Sequence, residues 1–316
     1  MLLDILLTTA PVFLLLLIGA VAVRGGAFLP AMIPGAGRLV MYLLMPALIF
    51  RALSSADIGS VFELHYLLAY GLGSLLAFVL VFLLSQKLRG SGVTQAGLHG
   101  MGGSMCNSAF FGLPILLQIN ESIALIAFSL ALLVENLLTI PLSLAVAESG
   151  VPGNEETPML QRVLRIMKRV LVNPLIMAIV LGVGFSVLSL PVPKLADQAL
   201  GMLAAAAAPL ALLTIGATLG NTRPGLPDGE FLLVGAGKLL LHPLLVWCLI
   251  LLLPDFDPAL QQAAIVMAAM PMFSLYAIIS AGYGFAERGS VVLLYTTVAS
   301  FLSINAILWL LAPFAV

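Results

Sequence analysis

Gly100 to Gln118 reads GMGGSMCNSAFFGLPILLQ, and Ala268 to Phe285 reads AAMPMFSLYAIISAGYGF. Each stretch is apolar and of helix length, yet is interrupted by glycine, proline and small polar residues. Gly100, Gly102, Gly103 and Gly112 crowd the first, with Gly97 just before it, together with Ser104, Asn107, Ser108 and Pro114. Glycine disfavours a helix interior by about 1 kcal/mol relative to alanine. A cluster of them predicts a broken helix, unless a small-residue packing face compensates. Asn107 argues for the break, because its amide needs partners at bilayer depth. In the second stretch Pro271 removes a backbone donor and clashes with the preceding turn, and Ser274 and Tyr276 follow. A simple proline kink is the alternative there. The pairing with the first stretch favours two unwound segments that cross.

The surroundings of these stretches set the fold class. Hydrophobic residues make up 62% of the 316 and charged residues 9%, with a mean hydropathy of +1.18. Soluble domains carry roughly a quarter charged residues, so the chain reads as an all-α integral membrane protein. A span needs about 20 apolar residues. Such spans fall at roughly 3–23, 33–53, 64–86, 95–118, 122–146, 163–188, 196–219, 230–253, 259–284 and 289–313, ten in all. Asp4 stands where a signal peptide would be basic, and the first apolar run exceeds a signal-peptide core, so span 1 reads as a retained helix.

With ten spans the loops alternate sides. Arg24, Arg38, Lys87, Arg89, Arg162, Arg165, Lys168, Arg169, Arg223 and Arg288 fall on one side; Lys194 and the span-end Arg51 fall on the other. The positive-inside rule makes the basic side cytoplasmic. The expected location is the inner membrane, multi-pass, with both termini periplasmic or extracellular. The polar segment Glu148 to Lys168 divides the chain into five spans and five. Because five is odd, the second half enters from the opposite face. This predicts an inverted repeat: 1–147, a cytoplasmic linker at 148–162, and 163–316. The broken stretches are the fourth span of each half, the arrangement that marks the binding site of secondary transporters.

Cys106-Asn107-Ser108 followed by Gly112-Leu113-Pro114 resembles the fourth-helix pattern of the auxin efflux carrier family. Ala269-Met270-Pro271 with Tyr283-Gly284 resembles its ninth-helix pattern, and Met45-Pro46-Ala47-Leu48-Ile49-Phe50 is similar to its second-helix signature. The likeness runs the full length. It implies two inverted five-helix repeats whose helices 4 and 9 cross at the midplane, related in fold to bile acid symporters and sodium/proton antiporters. It further implies a scaffold, 1–55 plus 163–220, a mobile transport domain, 62–147 plus 229–316, and homodimers formed through the scaffold. Cysteine replaces the usual proline at 106. The third-helix aspartate of the plant exporters has no counterpart near Tyr70, and their long cytoplasmic loop is absent, so a plant-hormone substrate does not carry over.

A helix that resumes at the midplane offers unpaired N–H groups and the positive end of its dipole to an anion. The resuming halves are expected to start near Ser108 and near Phe273 to Ser274. Asn107 is the leading side-chain ligand for a carboxylate, with Ser104, Cys106, Ser108, Pro271, Met272, Phe273, Ser274 and Tyr276 around it. Glu135 lies deep in span 5, where a charge costs at least about 2.5–3.5 kcal/mol. Burial disfavours an ionised carboxyl, which suits it to carry a proton. With Ser129 and Asn136, and Asn305 in span 10, it could alternatively hold sodium, or be a structural group paired with Lys238. Lys238 reads as a snorkelling side chain or an anion contact, Arg51 as the cap of span 2 or a gate, and His242 as a packing histidine.

No enzyme motif is present. Gly235-Ala236-Gly237-Lys238 lacks the hydroxyl residue and strand context of a phosphate loop. His65, His99 and His242, with Cys106 and Cys248, form no metal-ligand pattern. No cofactor is expected beyond a coupling proton or sodium ion, and no nucleic acid. The reading is a secondary carrier of a small organic anion, mono- or dicarboxylate, working in the lipid bilayer by alternating access. A receptor or intramembrane enzyme with a static pocket is the alternative.

Overall fold

The computed structural model describes residues 2–55, 63–151, 172, 174–222, 226 and 229–311. The described residues are helical and contain no strand, only one isolated antiparallel bridge. The helices are α1 (Leu2–Arg24), α2 (Pro30–Ser54), α3 (Leu64–Arg89), α4 (Val93–Ser104), α5 (Ser108–Ile119), α6 (Glu121–Ser149), α7 (Pro174–Val187), α8 (Lys194–Asn221), α9 (Gly229–Leu252), α10 (Pro258–Ala269), α11 (Tyr276–Gly282) and α12 (Ala286–Leu311). Six of them are long and apolar enough to cross a membrane. Beyond Val151 the linker expected at 148–162 lies outside the described residues, as do Arg162, Arg165, Lys168, Arg169 and Arg223.

Local chemistry sets the helix ends. Gly90 adopts φ 63°, a left-handed conformation open to glycine, and its N–H returns to the Gln86 carbonyl at 3.1 Å to close α3. The Asn120 side chain accepts from the Ile123 N–H, and Asp257 from Ala259 and Leu260, satisfying first-turn donors of α6 and α10.

α1 lies along α8, and α2 is flanked by α7 and α8. In a second set, α3 packs on α4 and α9, α4 on α6, α10 on α6 and α9, and α12 on α9 and α11. The sets meet where α1 touches α5 and α12, where α2 touches α6, and where α8 touches the start of α5.

α4 runs unbroken to Ser104, so Gly97, Gly100 and Gly103 lie within it. A Cβ on Gly100 would sit 2.8 Å from the Phe78 ring, and one on Gly103 2.7 Å from a Val81 methyl, both on α3. These glycines are the close-packing face; the interruption comes just after them. Gly103→Ala therefore overpacks the α3–α4 contact, which costs about 1–3 kcal/mol. The thermal midpoint in detergent should fall for Gly103→Ala but not for Gly35→Ala, where nothing lies within 4 Å of the added methyl.

A second pattern comes from proline. A single wide, i→i+5 turn precedes Pro46, Pro114, Pro141 and Pro243: Val40–Leu44, Ser108–Gly112, Glu135–Thr139 and Gly237–Leu241. Proline's ring clashes with the carbonyl four residues back, and a wider turn relieves the clash within a continuous helix. Ser108 and Glu135 each open such a turn, and Lys238 lies in another.

Candidate functional site

The chain leaves helical geometry at Met105 and Asn107 in one stretch and from Met270 to Leu275 in the other. The two interruptions lie against each other antiparallel, with Cys106 opposite Met272. The Asn107 N–H donates to the Pro271 carbonyl at 2.9 Å, and the Phe273 N–H donates to the Met105 carbonyl at 3.3 Å. Buried main-chain groups must find partners, and here each interruption supplies what the other lacks. The Asn107 carbonyl accepts from Phe111 and Gly112, at 2.9 and 3.0 Å, which starts α5. Helix resumes in the second stretch at Tyr276, later than the expected Phe273 to Ser274. The reason is that the Phe273 N–H is committed across the bridge, while its carbonyl takes the Tyr276 N–H at 3.0 Å. Above the bridge the Asn107 side-chain amide donates to the Ser274 hydroxyl at 2.5 Å. Asn107 is buried, whereas Phe273 and Ser274 are half-buried.

Behind the bridge runs a buried polar chain. Glu135 accepts from the Ser108 hydroxyl at 2.5 Å and from the Tyr70 hydroxyl at 2.9 Å. The same Tyr70 hydroxyl is 3.0 Å from the Cys106 sulfur, and that sulfur is 3.9 Å from His242 Nδ1. His242 Nδ1 is 2.9 Å from Lys238 Nζ, and His242 Nε2 is 2.9 Å from the Ser74 hydroxyl. Lys238 Nζ also donates to the Ala268 carbonyl at 2.5 Å. The chain thus joins α3, the first break, α5, α6, α9 and the end of α10. Tyr70 has one hydroxyl hydrogen for two neighbours. It serves an ionised Glu135, or it turns to the thiol when the carboxyl itself carries a proton.

The other sequence candidates lie elsewhere. The Ser104 hydroxyl donates within α4, to the Gly100 carbonyl at 2.9 Å. Pro271 and Met272 are buried in the bridge, while Tyr276 packs with Met101, Met105 and Val234. Ser129 donates to the Leu125 carbonyl and Asn136 to the Leu132 carbonyl, both inside α6. Asn305 accepts from Thr9 of α1 at 2.9 Å and donates to the Phe301 carbonyl at 2.7 Å, so it joins α12 to α1 rather than to Glu135. Arg51 pairs with Asp197 of α8 at 2.7 Å on the exposed surface. Lys238 does not snorkel: it is fully buried, because the break leaves the Ala268 carbonyl open to it.

Tyr70, Ser74 and His242 were not among the site candidates, and neither was a buried pair on the far side of α4, His99 Nε2 with Glu230 at 2.8 Å. A signal for part of the network was present. Ser108 and Glu135 each stand six residues before a proline and Lys238 five before one, the spacing that places a wide turn on a polar side chain.

A bridge of unwound backbone beside an amide, with an acid and a base behind it, suits recognition of an anion and movement of a proton. Comparison with known sequences bears on this: the Membrane transport protein family matches residues 4–309. The chain belongs to that family. It is the auxin efflux carrier family whose second-, fourth- and ninth-helix patterns the sequence resembles. The chain is 28% identical over 274 residues to a Rhizobium meliloti (strain 1021) protein named "Putative malonate transporter", covering 86% of this chain and 85% of that one. It is 30% identical over 211 residues to an "Uncharacterized transporter" of Methanothermobacter thermautotrophicus (strain ATCC 29096 / DSM 1053 / JCM 10044 / NBRC 100330 / Delta H), covering 66% of each. The protein is a multi-pass membrane protein of a transporter family.

Proposed function

We propose that this family member is a secondary active carrier of a small dicarboxylate of the malonate class, with the backbone bridge at Asn107 as its binding site. The observation that carries the reading is the Asn107–Ser274 pair, buried on the Asn107 side and half open on the other. A carboxylate arriving there takes the Asn107 amide from the serine and meets the first-turn N–H groups of α5, which have no intrahelical acceptor. The name of the Rhizobium relative supports a dicarboxylate over a monocarboxylate.

The same proposal includes the architecture that such transport needs. Ten spans form two inverted five-helix repeats, and the bridge lies at the bilayer midplane. α1, α2, α7 and α8 are the scaffold against which α3–α6 and α9–α12 shift. The packing of α1 on α8 and of α2 on α7 supports this division. Glu135, bonded to Ser108 at the start of α5, is placed to couple a proton to occupancy of the site.

Proteoliposomes loaded with unlabelled malonate test the reading. They should accumulate labelled malonate by counterflow, and external dicarboxylates should compete better than acetate. Liposomes that trap label no better than protein-free controls, across a panel of mono- and dicarboxylates, would refute the carrier reading.

A further inference from the structure

α9 turns Lys238 and His242 inward and an exposed leucine face outward. That face is not flat. A groove of about 320 Å³ runs between α3 and α9, walled by Val81 and Leu84 on one side and by Leu233, Leu240 and Leu244 on the other, with Ala236 and Gly237 as its floor. The floor is low because these two residues are small, and at Gly237 an added Cβ would meet a Val81 methyl at 2.5 Å. From Leu233 to Leu244 is about 16 Å along a helix axis, close to the roughly 15 Å of hydrocarbon in one leaflet of a bilayer. The groove starts in the first turns of α9 and ends past its middle, so it is one leaflet deep.

Positive charge stands at the shallow end. Lys87 is three residues beyond Leu84, on the same face of α3, and is exposed. The Arg89 guanidinium lies against Gly229, the first residue of α9, and so spans the two helices at the rim. A second apolar groove, of about 280 Å³, lies beyond the Leu240–Leu244 ridge, between α9, α10 and α12. It runs toward the opposite face, where the link between α9 and α10 carries Asp255 and Asp257 and no cation.

We propose that the α3–α9 groove is a binding site for an anionic phospholipid of the leaflet on the basic side, with one acyl chain along the groove and the phosphate held by Arg89 and Lys87. A chain of one leaflet's length fills the groove without leaving its own layer. The guanidinium fork matches phosphate oxygens bidentately. Basic side chains at a membrane surface attract any anionic lipid weakly; a walled groove beneath them retains one. The lipid then packs on the outer side of the Gly237–Leu241 turn, whose inner side holds Lys238. The site makes no use of substrate chemistry, so it stands or falls apart from the carrier reading.

The test titrates the purified, delipidated protein in neutral detergent with dioleoyl phosphatidylglycerol or dioleoyl phosphatidylcholine. Lipid retained in native mass spectra and the thermal midpoint are read. The wild type should retain one phosphatidylglycerol in preference to phosphatidylcholine, with a saturable rise in midpoint. Lys87→Gln combined with Arg89→Gln should weaken phosphatidylglycerol binding by about 10- to 30-fold and erase the preference. Ala236→Phe fills the groove, leaves both cations in place and should also lose the lipid. Leu232→Phe, exposed outside the groove, should keep it. Equal retention of the two lipids by the wild type, or a preference that survives the double substitution or Ala236→Phe, would overturn the proposal. Glycerol phosphate raising the midpoint as well as the lipid does would make this a free-phosphate site and overturn it too. So would dimers cross-linked through Leu240→Cys in a Cys248→Ser background, which would assign the groove to a second copy.

Discussion

Asn107→Ala is expected to slow malonate counterflow by about 10- to 100-fold while the protein still purifies as a folded, monodisperse species. The magnitude follows from the ligand. A hydrogen bond to a charged group is worth about 1.5–3 kcal/mol, and each 1.4 kcal/mol is tenfold. The fold should survive because the bridge itself is made by main chain. The Asn107 N–H to Pro271 and the Phe273 N–H to Met105 remain whatever side chain stands at 107. Two companions sharpen the test. Ser274→Ala removes the resting partner of the amide, and should alter rates far less. Asn107→Asp keeps the shape and replaces a donor by an anion, so it should be at least as damaging as alanine. Wild-type rates in Asn107→Ala would move the binding site elsewhere.

The extent to which this centre was readable in the sequence depends on the range of each interaction. Where the helices stop is a local matter of backbone and composition. Pro271 marked the second interruption because a missing N–H acts on its own turn, whereas the glycine-rich run before Met105 pointed close to the first interruption although its glycines lie within intact helix. The packing role of Gly100 and Gly103 was not decidable in this way, since it depends on Phe78 and Val81 of another helix. Lys238 went astray for a related reason. Four methylenes near a span end allow snorkelling on any one-dimensional argument, and only the position of the Ala268 carbonyl, thirty residues on, shows that the head group is used inside. Tyr70 is an ordinary apolar-face residue in the sequence; its hydroxyl acquires meaning when α6 brings Glu135 to it. Asn305 shows the converse. The sequence grouped it with Glu135, Ser129 and Asn136 as a sodium ligand, yet its partner is Thr9 at the other end of the chain.

Glu135→Gln is expected to abolish the response of transport to an imposed pH gradient while leaving exchange at equal pH measurable. Glu135 is a buried carboxyl whose two hydroxyl donors come from different helices, Tyr70 on α3 and Ser108 at the first residue of α5. An ionised carboxyl only accepts, and so engages both. Once protonated it has a hydrogen of its own to donate, which releases either the phenol toward Cys106 or the serine at the mouth of the break. Proton binding is thereby converted into a change at the start of α5, the same helix end that would meet the substrate. Glutamine preserves the volume and an oxygen to accept from Tyr70 or Ser108, but cannot take up or give off a proton. Glu135→Ala separates structure from coupling. It strands the buried Ser108 hydroxyl, a penalty of about 1–3 kcal/mol, and leaves Tyr70 only the Cys106 sulfur, so its thermal midpoint should fall below that of Glu135→Gln. In wild-type proteoliposomes an acidic exterior should speed uptake relative to symmetrical pH, and in Glu135→Gln the two conditions should give one rate. A Glu135→Gln protein that keeps the full wild-type response would show that the coupling proton binds elsewhere, and the buried His99–Glu230 pair would become the next group to test.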